Sequence, residues 1–388
     1  MLDNTFFFTK VSDIPNNIWD ELACSSYVYF TSEYLSAIEK NNPHILYFYI
    51  IIKNNQNKAI AFASIQIINF YLNTIENEFT NFLKNSTSIA RKLKILSEEK
   101  PLKILNCGNI FVSGEHGIYI KNGQNKSIIL KKISKAISQY TKNSDQPDSI
   151  DIFIIRDFVV QSLSVSNELL NLGYYSFNVE PNMKLKIDYR WRNFEDYLSS
   201  LKTKFRVKSR KALQLSSDLI VKEITTQNFD QHVCQMTELY KNVVSKADFN
   251  LGQFKIATYK DLKETFGDSY ILKSYWIENK MVGFMSGLIH KKKLDAHFVG
   301  IHYELNKQKA IYQRMLYDYI NIAIMEKLTS LNFGRTASEI KSSVGATPEH
   351  LTIYVRHKKT MTNKILKLFL SNIHPKEYHQ KFPFKKEE

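Results

Sequence analysis

The sequence predicts an α+β protein of two domains, each a mixed, mostly antiparallel sheet flanked by helices. Three observations carry that reading. The chain has 388 residues, 44% of them apolar, more than the roughly 250–300 residues at which a single core stops growing. Apolar runs with strand character stand beside amphipathic stretches of helical period. The order of strands and helices in the second half recurs, in degraded form, in the first, which sets the domains at 1–190 and 191–370 with a basic tail over 371–388.

In the first half, helices are expected at 16–23 and 31–40, the second introduced by Thr31 and Ser32. "HILYFYIII" and "AIAFASIQIINFYL" (59–72) around the turn "KNNQN" read as a β-hairpin. "PLKILNCGNIFVSGEHGIYI" is strand-like but broken by Gly108, Gly114 and Gly117, and a helix over 125–141 follows with Ile128, Ile129, Ile133 and Ile137 on its apolar face. "SIDIFIIRDF" is a buried strand, a helix ends at Gly173, and "MKLKIDY" closes the half.

The second half opens on one basic helix, "FEDYLSSLKTKFRVKSRKALQL", then the strand "DLIVKEI" and helices at 228–246 and 255–266. Three strands with turns at "ENK" and "HKKK" come next. A helix over 309–327 with the stripe Ile311, Met315, Tyr319, Ile322 leads to the strand "LTSLNF", the segment "FGRTASEIKSSVGA" (333–346) and a last strand, "HLTIYVRH".

The 53 Lys+Arg against 38 Asp+Glu give +15, which fits an anionic partner, nucleic acid, phosphorylated cofactor, anionic lipid surface or acidic carrier protein, or else a basic solvated surface. Cys24, Cys107 and Cys234 lie far apart, without CxxC spacing or a nearby His cluster, so neither a disulfide framework nor a metal site is expected. No signal peptide and no transmembrane run is read. The expected location is the cytoplasm, free or peripheral at the inner face of the membrane.

Residues 294–357 resemble the C-terminal domain of tandem GNAT acyltransferases of the FemAB-like group, and "LACSSYVYFTSEYLSAIEKNNP" (22–43) resembles their opening helices. The sharpest part is "FGRTASEIKSSVGA". The resemblance implies two GNAT-like domains, the first degenerate, and amide formation by attack of an amine on an acyl group carried by CoA, by a carrier protein or by an aminoacyl-tRNA. The acceptor implied is a lipid or a cell-envelope precursor. In this fold two strands splay apart and free backbone N–H groups for the donor's carbonyl.

One departure bears on the donor. GNAT enzymes hold the CoA pyrophosphate on a glycine-rich loop that opens a helix, whereas the matching stretch here, "ELNKQKAIYQRML", has no glycine. Lys307 and Lys309, with Tyr312 beside them, would serve phosphate as point charges, and acetyl-CoA is expected to bind weakly. No cofactor is expected to be permanently bound; an acyl-CoA or other acyl thioester is the co-substrate.

The segment 333–346 supports two readings. Thr336 and Glu339 have the spacing of a capping box, with Gly345 where a helix-ending glycine belongs; Glu339 is alternatively catalytic. Arg335 and Lys341, with Ser338, are not needed by so short a helix and are read as ligands of a donor phosphate or substrate anion. In "LDAHFVG", alternation puts Asp295, His297 and Val299 on one face, so that Asp295 would orient His297 as general base. Glu115 and His116, at the tip of "CGNIFVSGEHG", are read as substrate contacts or as part of an ordinary strand connection. "KFRVKSRK" (204–211) is a candidate grip for tRNA or lipid phosphates or a solvated helix face. The alternative from another class is a non-catalytic binding module on a decayed GNAT scaffold.

Overall fold

A computed structural model describes residues 4–70, 101–143, 150–246, 251–370 and 375–385. The last two residues of the strand expected over 59–72, Ser149 of "SIDIFIIRDF" and parts of the tail (371–374 and 386–388) lie outside these. Thirteen strands are present among the described residues: β1 Thr5–Phe8, β2 Leu46–Lys53, β3 Ala59–Phe70, β4 Leu102–Cys107, β5 Ile118–Ile120, β6 Ile152–Val159, β7 Tyr175–Lys186, β8 Ile220–Glu223, β9 Tyr270–Ile277, β10 Lys280–His290, β11 Lys293–Ile301, β12 Ser330–Asn332 and β13 Thr347–His357.

The chain forms two compact units. The first comprises Met1–Val179, Asp248–Phe254 and His350–Pro375; the second Glu180–Ala247, Lys255–Glu349 and Lys376–Glu388. In the first, the strand order is β1-β2-β3-β4-β6-β13 with β5 beside β3. All pairings are antiparallel except β4 with β6. In the second the order is β8-β9-β10-β11-β12-β7, again antiparallel but for β11 with β12. The two orders are the same, so the molecule is α+β with two tandem GNAT-like domains. Each unit takes its last strand from the other half of the chain: Leu351–His357 pair with β6, and Lys184–Lys186 with β12.

The first unit's core joins Phe48, Ile50, Ile65, Leu105 and Phe153 of the sheet to Ile129, Leu130, Ile133 and Ile137 of the helix Lys126–Asn143. Each large aliphatic contributes about 1.5–3 kcal/mol by burial. Ile128, expected on this face, is 62% exposed. The second unit's core sets Met315, Leu316, Tyr319 and Ile320 of the helix Ile311–Met325 against Val282, Met285, Leu294 and Leu331. Helix Val233–Val244 lies against β11, and Gly300 permits the approach: a Cβ there would stand 2.2 Å from Phe284 and 2.7 Å from Leu239.

One expectation about helix extent is corrected. The basic helix over 194–215 is two helices, Phe194–Ser200 and Thr203–Leu215. Asn193 and Asp196 form a capping box that starts the first, and the buried, extended Leu201 pairs with Phe384 between them. The helix expected over 309–327 is Ile311–Met325, and a separate short helix, Tyr303–Lys309, set off from it by Ala310 in the left-handed region, was not read from the sequence. β1 and the helix Thr360–Leu370 were not read from the sequence.

Candidate active site

In the second unit β11 and β12 run side by side only from Lys293/Ser330 to Asp295/Asn332. Beyond that, β11 continues to Ile301 paired with β10. The same stretch carries a β-bulge. Met285 pairs with Val299 and Gly287 with Ala296, so His297 and Phe298 together oppose Ser286. The extra residue breaks the period of two. Val299 therefore packs with Leu294 and Ala296 against the helix 311–325 core, not on the face of Asp295 as expected. Phe298 turns to Tyr240 on the other side, with ring centroids 5.3 Å apart. Ser286 Oγ donates to the Phe298 carbonyl at 2.7 Å and fixes the bulge. A bulge where the neighbouring strand departs turns main-chain groups out of the ladder, the requirement for holding a polarised carbonyl.

His297 is half-buried, and its Nδ1 lies 3.4 Å from Tyr270 Oη. Tyr270 is fully buried at the start of β9, and Lys263 Nζ donates to its carbonyl at 3.0 Å and to Glu223 at 2.8 Å. Asp295 Oδ2 is bonded by His290 Nε2 at 2.8 Å. Asp295, expected to orient His297, is thus also a partner of the hairpin histidine, and Tyr270 is a partner of His297 that sequence reasoning missed. In the tautomer whose Nδ1–H donates to Tyr270 Oη, the lone pair of His297 lies at Nε2, as a general base needs.

The turn after β12 explains its charges differently from either expectation. Lys341 Nζ donates to the carbonyls of Phe333 (2.8 Å), Gly334 (3.2 Å) and Arg335 (2.7 Å). The residue is 3% exposed. All three ammonium donors are engaged by main chain, so Lys341 holds the turn and has none left for a ligand anion. Burial pushes its pKa down to about 7 against the opposing charge of Glu180. The turn needs holding, because Gly334, Thr336 and Ala337 all lie at positive φ, 70°, 65° and 50°, which costs a non-glycine residue about 1–2 kcal/mol.

The capping box is corrected as well. Helix Ser338–Ser343 starts after Ala337 with no side-chain cap, and exposed Glu339 pairs with Lys381 at 2.9 Å, which lowers its pKa. At the other end Gly345 N donates to Ser342 O and Ala346 N to Lys341 O, the Schellman pattern expected of that glycine. Ser338 is buried as the first helical residue, and Arg335 is half-buried beside it.

At the segment without glycine, Asn306 Oδ1 accepts the Tyr312 N–H at 2.8 Å. A first-turn donor that would face a pyrophosphate is thereby taken by the chain itself. Lys309 is ion-paired with Asp218, Lys307 is exposed, and the Tyr312 hydroxyl is buried with its pKa raised.

In the first unit, Glu115 Oε1 accepts the Val159 N–H at 2.9 Å at the end of β6, and the His116 ring packs on Tyr29 with centroids 4.1 Å apart. Here the parting of β4 and β6 is bridged. Ile110 N donates to Gln66 of β3 at 2.9 Å and Gly114 N to Asp157 of β6 at 3.2 Å, where Asp157 is buried with Arg156. The unexpected polar residues Gln66, Asn106 and Asp157 inside apolar strands were the available signal.

Among the described residues no cluster of three or more His, Cys, Asp or Glu could hold a metal, and no helix is long and apolar enough to cross a membrane. No protein-family model and no curated protein matches the sequence. Among solved structures, the chain is similar to FemX (11% identity, TM-score 0.53, 91% of this chain and 98% of that one). It is also similar to a tandem GNAT protein from the clavulanic acid biosynthesis pathway (7%, 0.52, 91% and 98%) and to L-PGS from Bacillus licheniformis (9%, 0.51, 94% and 99%). These likenesses extend over nearly the whole chain and agree with the repeated strand order: the chain has the tandem GNAT fold.

Proposed function

We propose that the protein is an amide-forming acyltransferase whose chemistry takes place where β11 and β12 part in the second unit. The observation that carries this reading is the bulge at His297–Phe298 just past the last β11–β12 pair. The donor's carbonyl would sit against the freed main chain of β11 and be polarised there. His297 Nε2 takes the proton from the acceptor's ammonium as the amine attacks. The C–N bond forms, the bond from the acyl carbon to its carrier breaks, and the second nitrogen proton goes to the leaving sulfur, so that the carrier departs as its thiol. Tyr270 positions the imidazole. Arg335, at the edge of the same turn, is the residue assigned to the donor's or substrate's anion.

The donor proposed is an acyl-carrier protein, or a longer acyl-CoA held through its acyl chain, rather than acetyl-CoA, because Asn306 occupies the helix start that a CoA pyrophosphate would need and acetyl-CoA has no long chain to compensate. The acceptor proposed is an amine of a lipid or envelope precursor, reached at the inner face of the membrane. A second reading, an aminoacyl-tRNA donor, is favoured by the exposed Lys204, Lys208, Arg210 and Lys211 of helix Thr203–Leu215. Mass spectrometry of small molecules and nucleic acid retained by the purified protein tests both. A retained acyl chain or acyl thioester supports the first and retained tRNA the second. Purification free of either, with no amide formed from a panel of acyl thioesters or charged tRNA, would leave a binding module instead.

A further inference from the structure

Arg356, the penultimate residue of β13, carries a charge that no carboxylate among the described residues answers. Its guanidinium lies over the rings of Phe153 (4.7 Å) and Tyr174 (5.0 Å). Nη2 donates to Ser138 Oγ at 2.8 Å, and that hydroxyl donates in turn to the Ser134 carbonyl at 3.0 Å. The cation is therefore fixed on three sides without being neutralised, and its Nε is buried without an acceptor. The acidic side chains of the flanking elements are already committed, Glu168 to Lys131 and Asp151 to Lys358, both at 2.9 Å.

Arg356 also lines an open cleft of about 340 Å³, with Ser134, Lys135, Ser138, Gln139 and Leu172. The volume is at the small end of ligand sites. A rigid guanidinium held between aromatic faces is prepared for a planar, charge-assisted bond to an oxyanion. A second cation, the exposed Lys135, stands one helical turn from Ser138 on the same wall. Two positive charges and the Gln139 amide suit a dianion with several oxygens better than a single carboxylate.

We propose that this cleft binds a phosphate monoester group, with Arg356 and Lys135 as its counter-charges and Ser138 positioning the guanidinium. The site belongs to the first unit and is independent of the chemistry assigned to His297.

The test is calorimetric titration of the full chain with inorganic phosphate at constant ionic strength, with chloride as control. A parallel arm measures co-sedimentation with phosphatidylcholine vesicles containing phosphatidic acid. Arg356→Met keeps the aliphatic stem between the rings, and Lys135→Ala alters only an exposed side chain, so at least one variant reports on a folded protein. Saturable phosphate binding, weakened roughly tenfold or more by Arg356→Met and less by Lys135→Ala, supports the proposal. Vesicle binding that depends on these residues, without binding of free phosphate, supports it with a lipid headgroup as the source. No saturable binding in either arm, or binding unchanged in both variants, overturns it.

Discussion

Lys341 shows how one side chain can hold the geometry of a site without touching a ligand. Its three bonds to the carbonyls of Phe333, Gly334 and Arg335 support a turn with two non-glycine residues at positive φ. Lys341→Met leaves three buried acceptors unmatched and is expected to destabilise the protein by about 2–5 kcal/mol, read from urea unfolding. The pH dependence is specific. Burial lowers this pKa from 10.5 to about 7, so between those values the unfolded chain binds a proton there that the folded chain does not. Stability contributed by this group therefore rises with pH from about 7 towards 10.5. The difference in unfolding free energy between wild type and Lys341→Met should widen from pH 7 to pH 9; a constant difference would show that the amine does not titrate in that window. Tyr270→Phe is expected to lower kcat by up to roughly tenfold with donor KM unchanged. A Tyr270→Phe variant with wild-type kcat would remove the positioning role. The sequence marked the charged turn and His297 as unusual. Partners were not legible, because Lys341 meets its carbonyls only through the left-handed turn, and Asp295 meets His290 only because a tight hairpin brings residues five apart face to face.

At the scale of elements, long runs were readable and irregularities were not. The apolar strands and the Ile311–Met325 stripe announce themselves by period, whereas the single extra residue at His297–Phe298 reverses which side chains share a face without leaving any compositional mark. The breaks at Leu201 and Ala310 were hidden for the same reason: each is an ordinary residue whose extended or left-handed backbone is imposed by its surroundings. Two substitutions test these elements. Gly300→Ala puts a Cβ against Phe284 and Leu239 and is expected to cost about 1–3 kcal/mol by forcing the helix 233–244 away from β11. A variant as stable as wild type would mean that the strand and helix adjust freely. Asn306→Ala removes the acceptor of the Tyr312 N–H and is expected to cost about 1 kcal/mol. By reopening that helix start it should also tighten acetyl-CoA binding, measured by calorimetry; unchanged or weaker binding would show that the asparagine is not what disfavours this donor.

At the scale of the molecule, the repeated strand order was visible in the sequence because each half carries its own hairpins, its own parallel pair and its own helices. The exchange of the last strands was not, since β7 and β13 read as ordinary buried strands with nothing to name their neighbours. Fragments 1–190 and 191–388 would each lack a strand of their unit, and neither is expected to show a cooperative thermal transition alone. A sharp transition in either would show that the exchanged strand is dispensable. The central claim, acyl transfer at the parting of β11 and β12 with His297 as base, is tested most directly by steady-state kinetics of His297→Ala, using the donor and acceptor found with wild type and following the amide by mass spectrometry. The account predicts a fall in kcat of about 10²–10⁴ with donor KM and folding preserved; a variant that keeps wild-type kcat would contradict it.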